Sequence, residues 1–211
     1  MLLDALQKFE WLIEPAEIYL DTGLKVVSST KTDFWQSYRE DFHKDNGHLF
    51  FSSSSGDFEL NVKWSFSSIS DFSQCGLMIR TDEFNWFKIS IMAENSEVFV
   101  GSSVTNFGTS DLAIHSISSV SSIPTAYSSS TACSISVVNP SLSVGNIENI
   151  WYRLVCKDGG FTAYYSFDGI NYQEARRFDL LKEAKTYMAG AYICCPSENK
   201  FSALLENIEV T

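Results

Sequence analysis

The chain has 211 residues, of which 45% are hydrophobic and 19% charged, a globular composition and not that of a disordered segment. A single all-β sandwich of this length is ordinary. The net charge of -11 sets the chain against nucleic-acid phosphates and anionic lipid headgroups, so neither is expected as a partner.

In chain order, the first residues, Met1 to Lys8, lack a basic n-region, and Asp4 breaks the apolar run, so they do not read as a signal peptide. No stretch approaches the ~18 consecutive apolar residues of a membrane span. The five cysteines, Cys75, Cys133, Cys156, Cys194 and Cys195, form no CxxC pair and read as reduced thiols. With the lack of an Asn-x-Ser/Thr acceptor, these features lead to the expectation of a cytoplasmic protein.

From residue 58 onward the chain alternates with period two. Phe58, Leu60, Val62, Trp64 and Phe66 alternate with Glu59, Asn61, Lys63 and Ser65, the pattern of a strand with one face in a core. Cys75, Leu77 and Ile79 alternate with Gln74, Gly76, Met78 and Arg80. Phe87, Ile89 and Ile91 alternate with Trp86, Lys88, Ser90 and Met92. Further strands are predicted over 98–105, 151–157, 161–167, 186–194 and 201–210, and residues 178–184 read as a short helix or a loop. Asp158-Gly159-Gly160 marks a tight hairpin, and Asp45-Asn46-Gly47 and Asp168-Gly169 mark turns. Many short strands between turns predict an all-β sandwich or jelly roll. One domain is expected over 1–211, with a Ser-rich, almost uncharged insertion at 113–150 that holds one short strand near 134–138.

Catalytic patterns are missing. There is no Gly-x-Ser-x-Gly elbow, and nothing local orients His43, His48 or His115 as a base. Sandwich glycosidases need two carboxylates flanking the scissile bond, often two residues apart on one strand. Asp57 and Glu59 come nearest, and Glu59 reads as a solvated strand residue. No ligand cluster for a transition metal appears, and no cofactor is implied. Asp33, Asp45 and Asp111 could meet around Ca²⁺ only through loops. What stands out is the face opposite the apolar set: Gln74, Met78, Arg80, Trp86, Lys88 and Ser90. A Trp beside cations and an amide suits a sugar ring, whose C–H face stacks on the indole while its hydroxyls bond the polar groups. The bland alternative is an ordinary outer face with a cation–π contact.

A longer ordered set contains these residues. It runs through Thr32-Asp33-Phe34-Trp35, Asp45-Asn46-Gly47-His48, Gly56 to Leu60, Gln74 to Arg80 and Asn85-Trp86-Phe87-Lys88. Val104-Thr105, Ser110-Asp111, Trp151 to Leu154, Tyr165 to Gly169, Gly190-Ala191-Tyr192 and Pro196 continue it. In that order the chain resembles the uncharacterised concanavalin A-like family that includes a fungal protein named for regulation of enolase. The resemblance implies a lectin/glucanase-type jelly roll of two curved antiparallel sheets and no established enzymatic activity. It implies a link to carbohydrate metabolism, and related modules occur appended to glycoside hydrolases. The shared polar residues it carries over are Asp33, Trp35, Asn46, His48, Gln74, Arg80, Trp86, Lys88, Thr105 and Asp111. Two departures are Met92, where the family usually has Glu, and Leu112, where it has Trp. The expectation is a non-catalytic module binding a carbohydrate or sugar phosphate on the face with Trp86. A protein partner acting through 113–150 is the alternative, and a glycoside hydrolase with an unfamiliar carboxylate pair is a more distant one.

Overall fold

The computed structural model describes residues 6–37, 41–95, 97–117, 147–181 and 184–211. Within them two antiparallel sheets stack face to face. The larger sheet runs β1 (Glu10–Trp11), β6 (His48–Ser54), β16 (Tyr187–Cys194), β8 (Gln74–Asp82), β9 (Asn85–Glu94), β10 (Glu97–Asn106) and β11 (Thr109–Ser110). An eighth strand, β12 (Ala113–Ser116), pairs with β10. The second sheet runs β15 (Gln173–Phe178), β14 (Gly160–Ser166), β13 (Asn149–Lys157), β7 (Phe58–Ser65), β17 (Ser202–Val210), β3 (Leu24–Val27) and β2 (Glu17–Leu20). The chain crosses between sheets as it goes, β6 lying in the first, β7 in the second and β8 in the first again. This is a concanavalin A-like jelly-roll sandwich. No helix among the described residues is long and apolar enough to cross a membrane.

Alternation places the core. Leu60, Val62 and Trp64 of β7 and Tyr152 and Leu154 of β13 meet Leu77 and Ile79 of β8 and Phe87, Ile89 and Ile91 of β9. The polar atoms carried into this core are satisfied across it. Trp64 Nε1 donates to the Gly76 carbonyl at 2.9 Å. The Tyr152 hydroxyl donates to the Cys75 carbonyl at 3.0 Å and accepts from the Ile91 amide at 2.6 Å. Burial therefore holds Tyr152 far from ionisation.

The predicted Asp158-Gly159 turn joins β13 to β14, with φ of 50° and 81°, the left-handed pair that a two-residue hairpin needs. Residues 178–184 hold no helix among the described positions; Phe178 instead ends β15, where it stacks on Phe87 and Phe161. Ala113–Ser116, placed in the insertion by sequence, are a sheet strand in register with Phe99–Ser102. The short strand expected near 134–138 and Cys133 lie outside the described residues. Cys75, Cys156, Cys194 and Cys195 are free and buried.

A third unit sets the site. Strands β4 (Phe34–Ser37) and β5 (Phe42–Asp45) form a two-stranded hairpin of their own. It lies on the face of the larger sheet turned away from the main core. Asn46 knits its base: Asn46 Oδ1 accepts from the Asp33 amide, Asn46 Nδ2 donates to the Lys31 carbonyl, and the Asn46 and Gly47 amides both donate to the Asp33 carbonyl. Gly47 is needed because a Cβ there would fall 2.4 Å from the Phe34 ring.

Candidate functional site

The hairpin buries the face that sequence marked for a ligand. Phe34 inserts among Leu49, Phe51, Met78, Trp86, Tyr192 and Cys194, a second apolar core with Met188 at its margin. Two ion pairs fasten the hairpin at its base. Arg80 donates to both Asp45 carboxylate oxygens, at 2.6 and 3.0 Å. Lys88 donates to Asp33 Oδ1 at 2.9 Å and to Gln74 Oε1 at 3.0 Å, with its ammonium 5.9 Å from the Trp86 ring and 5.8 Å from that of Tyr192. Tyr192 also donates to Gln74 Oε1, and burial pushes the Tyr192 hydroxyl well up from its usual value.

Trp86 is therefore a core residue and not an open plate. Its indole is fully buried, and Nε1 donates to the Glu83 carbonyl at 3.2 Å. Lifting the hairpin would expose Phe34, Met78, Trp86 and Tyr192 together. At about 1.5–3 kcal/mol per large apolar side chain this costs about 6–12 kcal/mol. That is comparable with the ~5–15 kcal/mol stability of a whole domain. Trp86, Gln74, Arg80 and Lys88, expected on an open face, are buried beneath the hairpin.

The other residues carried over by resemblance divide into groups. Asp33, Gln74 and Lys88 converge, Arg80 and Trp86 lie beside them, and Asn46 binds the backbone that carries Asp33. Trp35 pairs with Lys44 and alternates with the buried Phe34 and Gln36, so it lies on the side of the hairpin away from the sheet. Thr105 bonds Ser110 across the β10–β11 turn, and the Ser110 hydroxyl accepts from the Gln36 amide, tying this turn to β4. His48 stands apart. Its Nε2 accepts from the Ser29 amide at 2.9 Å and its Nδ1 faces the Ile13 carbonyl at 3.3 Å, so it is neutral with the proton on Nδ1. Burial lowers its pKa from the usual value. Asp111 lies at the edge of the sandwich, bidentate to Arg176 of β15 at 2.5 and 3.0 Å.

The loop carboxylates do not gather around a cation. Asp33, Asp45 and Asp111 each face a different basic side chain. Asp57 Oδ1 accepts the Asp158 amide, and Glu59 is held by Arg153 and Asn61, so these two serve the sheet and its turn. Met92 and Leu112, the departures from the family pattern, come together. A Cβ on Gly101 would lie 2.5 Å from Met92 Sδ and 3.6 Å from Leu112 Cδ1. A Glu and a Trp at these positions would share one spot on the sheet, and here it is apolar.

An open site lies at the far end of the hairpin, among residues of which the sequence reading had weighed only His43. A cleft of about 430 Å³ is lined by Gln36, Phe42, His43, Phe84 and Phe107, with Ser37, Asp41 and Gly108. The three rings stay in solvent, with exposures of 43% at Phe42, 45% at Phe84 and 64% at Phe107. Turn chemistry holds two of them. The Phe84 amide donates to Asp82 Oδ1, the Phe107 amide to Asn85 Oδ1, and the Gly108 amide to the Phe84 carbonyl. Phe107 sits at φ 50°, an uncommon conformation for a bulky residue. His43 lies 6.0 Å from the Phe84 ring, and Gln36 Nε2 donates to the same Glu83 carbonyl that Trp86 uses. The buried indole and the open cleft thus share one anchor.

The two packed sheets and their covering hairpin place this chain among the concanavalin A-like sandwiches. It belongs to the family described as "Protein of unknown function (DUF1349)", whose profile matches residues 11–132 and 133–211. "Regulation of enolase protein 1" of Saccharomyces cerevisiae is 33% identical over 103 residues, 48% of this chain and 51% of that protein, so the match spans about half the length of the curated relative. Among solved structures, a functionally unknown protein from Saccharomyces cerevisiae superposes with a TM-score of 0.77 at 21% identity, over 98% of this chain and 97% of that one. The GH43 protein BlXynB from Bacillus licheniformis gives 0.65 at 14% identity, over 96% of this chain and 36% of that one. At such identities the structural likeness is one of fold.

Proposed function

We propose that this chain is a non-catalytic binding module that acts in the regulation of carbohydrate metabolism, with a carbohydrate or sugar phosphate as its ligand. Binding takes place in the cleft at the hairpin tip and not on the face beneath the hairpin. The observation that carries this reading is the set of three exposed phenylalanine rings around one cleft, two of them fixed by turn hydrogen bonds. Exposed rings forgo the gain of burial, and a sugar's C–H face recovers it on stacking. Gln36, Ser37 and His43 offer polar groups for hydroxyls. The engagement of Asp33 and Asp45 by Lys88 and Arg80 supports a role without acid–base chemistry. The name of the yeast relative supports the regulatory setting.

A thermal-shift panel of mono- and oligosaccharides and sugar phosphates tests it, because a ligand of the native state raises the melting temperature by mass action. A dose-dependent rise that disappears in Phe84→Ala/Phe107→Ala is expected. A flat panel at millimolar ligand would overturn the reading in favour of a protein partner. That second reading has its own observation, since Leu112 and Ile114 are exposed beside Met92 where the chain enters the Ser-rich segment. On it, Leu112→Ser/Ile114→Ser would abolish capture of the partner.

A further inference from the structure

We propose that Asn46 is a site of spontaneous deamidation, gated by the turn that fastens the hairpin, and that its conversion loosens the hairpin irreversibly. Asn46-Gly47 is the one Asn-Gly step in the sequence. Glycine has no side chain to hinder the approach of its own backbone nitrogen to the preceding carboxamide. The Gly47 nitrogen gives up its proton and bonds Asn46 Cγ, and the Cγ–Nδ2 bond breaks as ammonia leaves. Water then opens the resulting succinimide at either carbonyl, giving aspartate or an isoaspartyl link. The net change is one water in and one ammonia out.

The folded turn holds every group this reaction uses. The Gly47 amide proton is committed to the Asp33 carbonyl at 3.1 Å. Asn46 Oδ1 accepts from the Asp33 amide at 3.0 Å and Nδ2 donates to the Lys31 carbonyl at 3.1 Å, which fixes the carboxamide. Gly47 packs against the Phe34 ring, so its backbone is not free to swing toward Cγ while the hairpin is seated. Asn46 itself faces solvent, and water reaches the carboxamide once those bonds part. The rate therefore counts local openings of the turn, smaller events than the lifting of the whole hairpin.

The product does not reseat as asparagine did. A carboxylate accepts but does not donate at neutral pH, so the Lys31 carbonyl loses its donor and meets an oxygen instead. The new charge also arises beside Asp33 and Asp45, the carboxylates that hold Lys88 and Arg80. An isoaspartyl link adds a methylene to the main chain just after β5 and shifts the hairpin against the sheet. Because β5 carries Phe42 and His43 into the open cleft, the change reaches that site too.

In the test, the purified full chain is held at neutral pH, folded and in denaturing urea, and Asn46 is followed by peptide mass mapping, with enzymatic methylation of isoaspartate as a second readout. Conversion is expected in both, at least about tenfold more slowly in the folded chain, a ratio equivalent to about 1.4 kcal/mol. Lys88→Met unfastens Asp33 without altering the residues that flank Asn46. It should speed conversion in the folded chain severalfold and leave the rate in urea unchanged. Wild-type protein in urea below its unfolding transition should show the same acceleration, without relying on a variant. Asn46→Asp should lower the urea midpoint by about 0.5 M. Equal rates in the folded and unfolded chain overturn the gating. Asn46 still intact in the folded chain when the unfolded chain has fully converted overturns the site. An unchanged midpoint in both Asn46→Asp and the aged protein overturns the loosening of the hairpin.

Discussion

Replacing Trp86 by alanine distinguishes a core from a binding surface. The indole is fully buried between the larger sheet and the hairpin, next to Phe34, Met78 and Tyr192. Truncating a buried Trp costs about 3–5 kcal/mol, through lost transfer energy and the cavity left behind. With a urea m-value of about 2 kcal/mol/M, the unfolding midpoint should fall by about 1.5–2.5 M. Far-UV circular dichroism is the suitable probe, since the substitution removes a fluorophore. A Trp standing open for a ligand behaves differently, as exposed substitutions usually stay within about 0.5 kcal/mol. Trp86→Phe keeps a ring under the hairpin but loses the bond to the Glu83 carbonyl, so its midpoint should lie between the other two. If Trp86→Ala unfolds at the wild-type urea concentration, the description of this face as a second core is wrong.

The hairpin's fastening can be probed in the same way. Asp45→Ala leaves the Arg80 guanidinium buried without its bidentate partner and should cost about 3–5 kcal/mol, while Asp45→Leu/Arg80→Met, which removes both charges, should recover most of that loss. A double variant no more stable than Asp45→Ala would count against the ion-pair account. Gly47→Ala drives a methyl into the Phe34 ring and should cost about 1–3 kcal/mol in a thermal melt. Stability should also fall with acid in a defined window. Burial lowers the folded-state pKa of His48, so the unfolded chain takes up the proton first, at about 6.5. The contribution is complete above that pH and is lost as pH falls from it toward the folded value. His115, also lowered by burial, acts in the same direction, so His48→Gln should flatten the decline between about pH 7.5 and 5.5 without abolishing it.

Alternation assigned the faces of β7, β8 and β9 correctly, because a strand's period of two depends only on local geometry. What it could not supply was the identity of whatever lay against the second face. Gln74, Arg80 and Lys88 looked like a solvated surface, yet Gly76 and Met78 stood among them, and β8 is buried on both faces along Gln74–Arg80. A strand nearly apolar throughout is the mark of cover on both sides. The cover came from β4 and β5 with Asp33 just before them, and their docking on the sheet is a long-range choice of Asp45 for Arg80 and Asp33 for Lys88. No spacing announces such a pairing. The cleft was missed for a related reason. Phe84 and Phe107 are ordinary strand-end aromatics in the sequence, and only their turns, set by Asp82, Asn85 and Gly108, turn them outward together. The nearest sequence signal was Gly108, a residue type suited to the left-handed turn position it takes.

The hydroxyl of Tyr152 has a mechanical consequence. It takes the amide of Ile91 from one sheet and gives its proton to Cys75 of the same sheet, while its own strand belongs to the other. The layers are therefore pinned by a directional link at mid-core, and sliding one over the other would strand an amide and a carbonyl in hydrocarbon. The sandwich should open as one unit. The Ile91 amide hydrogen should be among the last to exchange with solvent, released only when the whole domain unfolds.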